Sequence, residues 1–303
     1  VGSIGKVEVH ELMQDPSDDD ALYLGSIASG LLYSYDGGAG WRQVKEPFLR
    51  EGRIRGIAVD PQEKCTIYVS RGQSLAKSLD CGRTFDIEAY VDPRGEVVIT
   101  DVEIDWFNPR VIYLTNTAGE VLRSNDGAAT WQTIYRGGGF FRDLEIDNSD
   151  SRILLAASAK KGVHRSADGG ATWERVLEDG YLELDGVDNI KQIEQTATGS
   201  DIWVSTDHGL LRSRDHGVTW EDIPLITGSA GANITALAVD PNNGSRVLYV
   251  AGSTVYSTIN AGNVWETEKM PQPARAYQLV IDPEDSSVVY MGLRPYEQEA
   301  TLF

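Results

Sequence analysis

The sequence predicts an all-β protein, a seven-bladed β-propeller made of four-stranded antiparallel blades. Three observations favour this fold. An eight-residue motif recurs six times, its copies lie 42 to 47 residues apart, and this spacing is close to the length of one four-stranded blade. Apolar and β-branched segments alternate with Gly, Pro, Asn and Asp along the chain, and no segment keeps a helical period.

The recurring motif reads Ser-X-Asp-X-Gly-X-Thr-Trp, with small variations between copies. Its third positions are Asp36, Asp80, Asp126, Asp168, Asp215 and Asn260. Short Asp and Ser side chains bond to backbone N–H groups of a tight turn, and Gly permits the positive φ that such a turn needs. The aromatic residue packs against the blade beneath. We interpret the motif as a structural hairpin clasp, because a residue required once by catalysis would not recur in every blade.

Each repeat contains four strand-like segments, and the motif lies between the third and the fourth. In the sixth repeat these segments are 234–239, 247–251, 254–258 and 265–268. The first segment ends in an acidic turn. Consecutive strands joined by short turns pair as an antiparallel sheet, so the sequence predicts one blade per repeat.

A seventh repeat begins at Tyr277, but the chain stops at Phe303, where its motif would follow. A propeller closes by pairing its two chain ends, which hides sheet edges. We therefore expect a single domain over residues 1–303. Its last blade is expected to be incomplete or to be completed by residues near or before Val1.

The net charge excludes one large class of partners. Acidic residues outnumber basic ones 46 to 27, which gives a formal charge of -19. Such a field repels phosphate backbones and anionic membrane surfaces, so we expect no nucleic-acid partner. The sequence contains neither an 18-residue apolar run nor a signal-peptide pattern. No membrane span is expected, and a signal peptide or lipid anchor would have been removed before Val1.

The motif resembles the Asp-box, or BNR, repeat, and the resemblance covers residues 7 to 303. Asp-box repeats occur in sialidases, sortilin-type receptor domains, xyloglucan-active glycosidases and the Ycf48-like photosystem II assembly factors. The single-propeller size is most similar to the Ycf48-like group. That resemblance implies a non-enzymatic exported scaffold that binds a protein partner in the periplasm, thylakoid lumen or cell surface. The alternative is a glycan-binding or glycoside-hydrolase propeller, and a sortilin-like receptor domain is a third.

The chemistry expected of an enzyme is missing from the sequence. Sialidases carry an F/Y-R-I-P segment, and the nearest sequence here is Arg53-Ile54-Arg55. The four histidines, His10, His164, His208 and His216, show no metal-ligand spacing. No phosphate-binding or dinucleotide fingerprint occurs, so we expect no enzymatic activity and no cofactor.

Polar residues recur on the first strand of the third to fifth blades, which would line the central channel. They are Asp101, Glu103, Asp143, Glu145, Gln192 and Glu194. Hard cations need several converging oxygens, so the pattern fits either a cation site or a solvated acidic channel. Cys65 and Cys81 would lie at neighbouring strand ends of the second blade, which fits either a disulfide or two free thiols.

Arg and aromatic residues concentrate in the connections between blades, which lie on the face opposite the boxes. The candidate partner-binding residues are Arg53, Arg55, Tyr90, Arg94, Arg136, Phe140, Phe141, Arg142, Tyr181, Lys191, Arg275 and Tyr277. In three blades a basic residue lies five positions before the residue that ends the first strand. These residues are Arg55, Arg142 and Lys191. Because such side chains dominate interface hot spots, we predict that this rim binds the partner, with Arg55, Phe140, Phe141 and Arg142 at its centre.

Overall fold

The computed structural model describes residues 7–228, 232–270, 272 and 274–295. Six sheets have four antiparallel strands in simple sequential order, and a seventh sheet has two. The all-β propeller is confirmed, but the expectation of seven blades is wrong: the described residues form six four-stranded blades. Within the described residues the seventh repeat contributes a two-stranded hairpin. The segment in which its third and fourth strands were expected lies beyond residue 295, outside the described residues.

The strands follow one another from the centre outward in each blade. Blade 1 contains β1 (Val9–Asp15), β2 (Asp18–Ser26), β3 (Leu31–Tyr35) and β4 (Arg42–Gln43); blade 2 contains β5 (Ile54–Val59), β6 (Ile67–Arg71), β7 (Ser74–Ser78) and β8 (Asp86–Val91); blade 3 contains β9 (Ile99–Ile104), β10 (Ile112–Asn116), β11 (Glu120–Ser124) and β12 (Gln132–Arg136).

The second half of the chain repeats this order. Blade 4 contains β13 (Phe140–Ile146), β14 (Leu154–Ala159), β15 (Gly162–Ser166) and β16 (Glu174–Leu177); blade 5 contains β17 (Ile190–Gln195), β18 (Ile202–Thr206), β19 (Leu210–Ser213) and β20 (Glu221–Ile223); blade 6 contains β21 (Ile234–Asp240), β22 (Asn243–Ala251), β23 (Thr254–Thr258) and β24 (Glu266–Lys269); the terminal hairpin contains β25 (Ala274–Ile281) and β26 (Val289–Pro295). Short 3₁₀ turns follow blades 1 and 4 at Pro47–Leu49 and Tyr181–Glu183.

The inner strands form a closed ring around the axis. Each of β1, β5, β9, β13, β17, β21 and β25 contacts the next, and β25 contacts β1. The hydrophobic core is divided accordingly into clusters, each shared by two adjacent sheets. Because blades pack on both faces, second strands such as β10 and β18 are buried at every position.

The boxes hold their turns as the motif predicts. In the fourth copy, Ser166 Oγ donates to Asp168 Oδ1 at 2.8 Å and accepts from Gly170 N at 2.9 Å. Asp168 Oδ1 also accepts from Thr172 N at 2.8 Å. The same bonds recur in the degenerate sixth copy, where Thr258 Oγ1 donates to Asn260 Oδ1 at 2.9 Å.

A basic side chain joins each of three blades to the box of the next blade. Lys77 Nζ donates to Gly127 O at 2.9 Å, Arg123 Nη1 to Gly169 O at 3.2 Å, and Arg165 Nε to His216 O at 2.8 Å. Each donor directly precedes the Ser of its own box. The box therefore fastens the interface between blades as well as its own hairpin.

All seven inner strands contain a β-bulge at the same position. The extra residue is His10, Thr100, Arg142, Lys191, Thr235 or Tyr277, and in β5 it lies at Arg55 or Gly56. A bulge leaves one residue out of the pairing ladder and redirects its side chain. The bulges thus form a ring of redirected side chains at the end of the channel where the inter-blade connections enter.

Candidate partner-binding site

The bulge ring places one cationic cluster at the channel mouth. It consists of His10, Arg53, Arg55 and Arg294, and we call it the mouth cluster. Arg294 Nη2 donates to His10 Nδ1 at 3.0 Å, Arg294 Nε donates to Val9 O at 3.0 Å, and the guanidinium lies 3.7 Å from the centroid of the Tyr277 ring. The strand β26 thereby fixes its arginine against two inner strands.

The electrostatics of the mouth cluster are strongly repulsive. Burial, followed by the charges of Arg294, Arg53 and Arg55, lowers the pKa of His10 to about 3. Burial and the neighbouring Arg53 also lower the pKa of Arg55. Both shifts show that positive charge is disfavoured here in the unliganded protein.

Two arginines of the mouth cluster have no acidic partner among the described residues. Neither Arg53 nor Arg55 makes an ion pair or a side-chain hydrogen bond there, although the chain has 46 acidic residues. A guanidinium offers five donors in a planar fork that matches a carboxylate. Two such forks without an acidic partner among the described residues therefore lie at the channel mouth.

A second group of predicted residues lies on blades 4 and 5 of the same rim, separated from the mouth cluster by blade 3 on one side and blade 6 on the other. The Arg142 guanidinium lies 5.3 Å from the Phe140 ring centroid, and burial lowers the pKa of Arg142. Lys191 Nζ pairs with Asp207 Oδ1 at 3.1 Å. Phe140, Arg142 and Lys191 thus offer an aromatic surface with two cations.

Other predicted residues are engaged within the fold. Arg94 binds Asp92 in a bidentate pair at 2.9 and 2.8 Å and also contacts Glu120. Arg136 Nε lies 3.0 Å from Glu120 Oε1. Tyr90 Oη donates to Asp92 Oδ2 at 3.2 Å. These side chains tie the outer strands of blades 2 and 3 together.

Phe141 and Tyr181 are also placed differently from the prediction. Phe141 is wholly buried in the cluster between blades 3 and 4, because the bulge at Arg142 turns it towards the core. It is therefore excluded from the contact surface. The hydroxyl of Tyr181 accepts from Trp220 N at 3.0 Å, which anchors the connection after blade 4. Arg275 is exposed at the start of β25.

The channel interior is acidic, as the first-strand pattern indicates. Half-buried carboxyls from four blades line it: Glu11, Asp101, Glu103, Asp143, Glu145 and Glu194. Desolvation raises the pKa of each, in Asp143 to about 6. Gln192 lies on β17 of blade 5, two residues before Glu194.

These carboxyls connect adjacent inner strands instead of converging on a cation. Asp101 Oδ2 accepts from Leu144 N at 3.0 Å, and Gln195 Nε2 donates to Glu145 Oε2. Burial and the nearby charge of Asp143 raise the pKa of Asp101. Within residues 7–295 as described, no group of three or more His, Cys, Asp or Glu side chains could hold a metal ion.

The histidines have structural surroundings. His164 is buried and bonds Tyr135 Oη at 2.7 Å, and burial lowers its pKa to about 4. His208 pairs with Asp222 at 3.2 Å, and His216 pairs with the strand-terminal Asp147 at 2.7 Å. His216 thus joins the box of blade 5 to the inner strand of blade 4.

Cys65 and Cys81 form a disulfide, so the first of the two alternatives is confirmed. Disulfides persist in oxidising compartments. No helix within the described part of the chain is long and apolar enough to cross a membrane.

Sequence reasoning missed His10 and Arg294. Counting five residues back from Asp15, the rule that selected Arg55, Arg142 and Lys191, also reaches His10. Arg294 carries no such signal, because it lies on a second strand and reaches the mouth only through the packing of β26 against β1.

Comparisons with known proteins agree with this architecture. The family model described as photosynthesis system II assembly factor YCF48 matches residues 140–274, which are blades 4 to 6. No curated protein sequence matches the chain. The family match over these blades and the fold both support the resemblance of the chain to Ycf48-like Asp-box propellers.

Solved structures with low sequence identity share the fold. YCF48 bound to D1 peptide superimposes with a TM-score of 0.74 at 14% identity, covering 97% of this chain and 93% of that one. YCF48 from Cyanidioschyzon merolae gives 0.72 at 15%, covering 97% and 95%. The GH74 xyloglucanase from Xanthomonas campestris gives 0.74 at 16%, covering 96% of this chain but 51% of that one. The chain thus spans 38% and 51% of the length of two GH74 chains that it matches.

Proposed function

We propose that this Ycf48-like propeller is a non-enzymatic, exported assembly scaffold that binds an acidic segment of a protein partner at the channel mouth. The observation that carries the proposal is the pair of unpartnered arginines, Arg53 and Arg55, in a chain with a net charge of -19. Retaining repulsive cations in the native state costs stability, which is typical of binding sites.

The aromatic and cationic side chains of the rim favour a protein partner. The rim holds two aromatic rings, each with a guanidinium group stacked over it. Arg142 lies over Phe140, and Arg294 lies over Tyr277. Arg and aromatic side chains are enriched among interface hot spots. A protein of the same fold, YCF48, binds D1 peptide, so a peptide segment is a suitable occupant for a propeller of this shape.

The channel supports a scaffold role over hydrolysis. Glycosidases place two carboxyl groups on opposite sides of a cleft, about 5 to 10 Å apart, with one of them ionised. Burial raises the pKa of both Asp101 and Asp143 inside the channel, and Asp101 accepts a backbone hydrogen bond from Leu144. The disulfide supports export to an oxidising compartment such as the periplasm, thylakoid lumen or cell surface.

The test is binding of acidic peptides by the full chain. The double variant Arg55→Gln/Arg142→Gln should weaken binding at least about tenfold, since two charge-assisted hydrogen bonds are lost. The control is Arg152→Gln, which removes an exposed arginine on the box face that pairs only with Asp150. Unchanged affinity in the double variant, or equal loss in the control, would refute the proposal.

A further inference from the structure

An open groove lies on the box-bearing face between blades 2 and 3. Its cavity volume is about 400 Å³, and it lies between the turn that follows β5 and the turn that follows β9. Lys77 and Tyr68 form its floor, and both bond Gly127 O, at 2.9 and 3.5 Å. The groove is remote from the mouth cluster, which lies at the opposite ends of the inner strands.

The internal repeats show that one wall of this groove is unusual. In every sheet two turn residues follow the Asp or Thr at the end of the inner strand. In four of the other six sheets they are Pro and a polar residue (16–17, 61–62, 241–242 and 283–284), and in the remaining two they are Asn-Ser (148–149) and Ala-Thr (197–198). Blade 3 alone continues with Trp106-Phe107. These side chains are 46% and 59% exposed, so the fold does not use them as core.

The groove is polar around its rim. Gln62 Nε2 donates to Trp106 O at 2.8 Å and joins the two turns. Glu63, Asn108 and Arg110 also line the groove, and their side chains make no hydrogen bond or ion pair within the described residues. Unused donors and acceptors therefore surround the exposed ring of Phe107.

We propose that this groove binds a neutral oligosaccharide, with the C–H face of one pyranose ring stacked on Phe107 and its hydroxyls bonded by the polar rim. An aromatic ring beside amide, carboxylate and guanidinium groups matches a ligand that is apolar on one face and hydroxylated at its edge. The groove is open and polar groups surround it, so it does not dehydrate an apolar side chain as a protein hot spot requires. The net charge of -19 disfavours an anionic ligand.

The corresponding groove between blades 1 and 2 provides an internal comparison. It measures about 270 Å³ and is lined by Lys64 and Asp18, which pair at 2.6 Å. Tyr35 donates to Cys81 O at 2.9 Å beside it. Lys64 and Asp18 satisfy each other, and the aromatic side chains that line this groove, Tyr33 and Tyr35, lie on β3 and not in its turns, so we expect weaker binding there.

The experiment is an array of neutral and anionic oligosaccharides probed with the full chain, followed by titration of the best neutral ligand. Phe107→Ala should weaken binding about tenfold or more, since stacking is lost. The control is Ile259→Ala, which truncates a 76% exposed side chain at another box. Thermal unfolding of both variants should match that of the unmodified protein.

Three outcomes would overturn the proposal: no neutral ligand bound at roughly 10 mM, binding of anionic ligands only, or equal affinity in Phe107→Ala. If Phe107→Ala instead lost acidic-peptide binding, the groove would be a protein site. Acidic-peptide binding that is unaffected by Phe107→Ala but lost in Arg55→Gln/Arg142→Gln would show that the two surfaces act separately.

Discussion

Replacing Arg55 by Gln should stabilise the protein while weakening partner binding. Burial and the nearby Arg53 lower the pKa of Arg55, so its charge opposes folding. The guanidinium is half-exposed, and solvent screening reduces the repulsion. We therefore expect a gain of about 0.5 to 1 kcal/mol in the free energy of unfolding.

Arg94→Gln is the matched comparison, because Arg94 is paired. Its partners Asp92 and Glu120 have side chains only 1% and 6% exposed, so removing the cation leaves buried carboxylates with fewer bonds. We expect a loss of about 1 to 2 kcal/mol, moderated by solvent at the half-exposed arginine. Urea titration followed by tryptophan fluorescence measures both values. A destabilised Arg55→Gln would refute the assignment of Arg55 as a binding residue and make it structural.

Three further predictions concern the fold. Ser166→Ala should cost about 1 to 3 kcal/mol in urea unfolding, since Gly170 N loses its acceptor in a buried box; an effect under 0.5 kcal/mol would contradict the clasp. Glu194→Gln should raise the free energy of unfolding above pH 7 but not near pH 4. The pKa of Glu194 is higher in the folded than in the unfolded chain, so its carboxyl destabilises the native state only once pH rises past the pKa of the unfolded chain. A stability difference that persists at pH 4 would contradict this. Reducing the Cys65–Cys81 bond, which closes a separation of 16 residues, should lower stability by about 3 kcal/mol, and an unshifted melting curve would count against it.

The sequence was sufficient for the architecture because each blade carries its own local signal. Asp168 and its five equivalents mark the third hairpin of every blade, and their spacing gives the repeat length. The blade number was predicted wrongly because counting repeats does not reveal whether Tyr277 begins a full sheet. Whether a sheet is completed depends on pairing between distant segments of the chain, which the local sequence pattern does not determine.

The site was predicted in part, and the bulges explain the remainder. By simple alternation Phe141 would share a side with Asp143 and Glu145, facing the channel. The bulge at Arg142 shifts this alternation by one residue, so Phe141 joins Leu144 in the core. A bulge is a property of strand pairing and has no sequence signature here.

Long-range partners account for the other differences. Arg94 and Arg136 meet at Glu120, which the sequence places 26 and 16 residues away from them. Nothing local distinguishes these paired arginines from Arg53 and Arg55, which lack an acidic partner among the described residues. Only the folded packing separates structural cations from those available to a ligand.

The most direct test of the central claim is site-specific photo-crosslinking in cells that make the full chain. A photoreactive phenylalanine analogue would replace Phe140 or Tyr277 at the channel mouth, and Leu79 or Val218 on the box face, where both side chains are exposed. The account predicts that one partner protein is crosslinked from both mouth positions and from neither box-face position. Crosslinking of that partner from Leu79 or Val218, with none from the mouth, would contradict it.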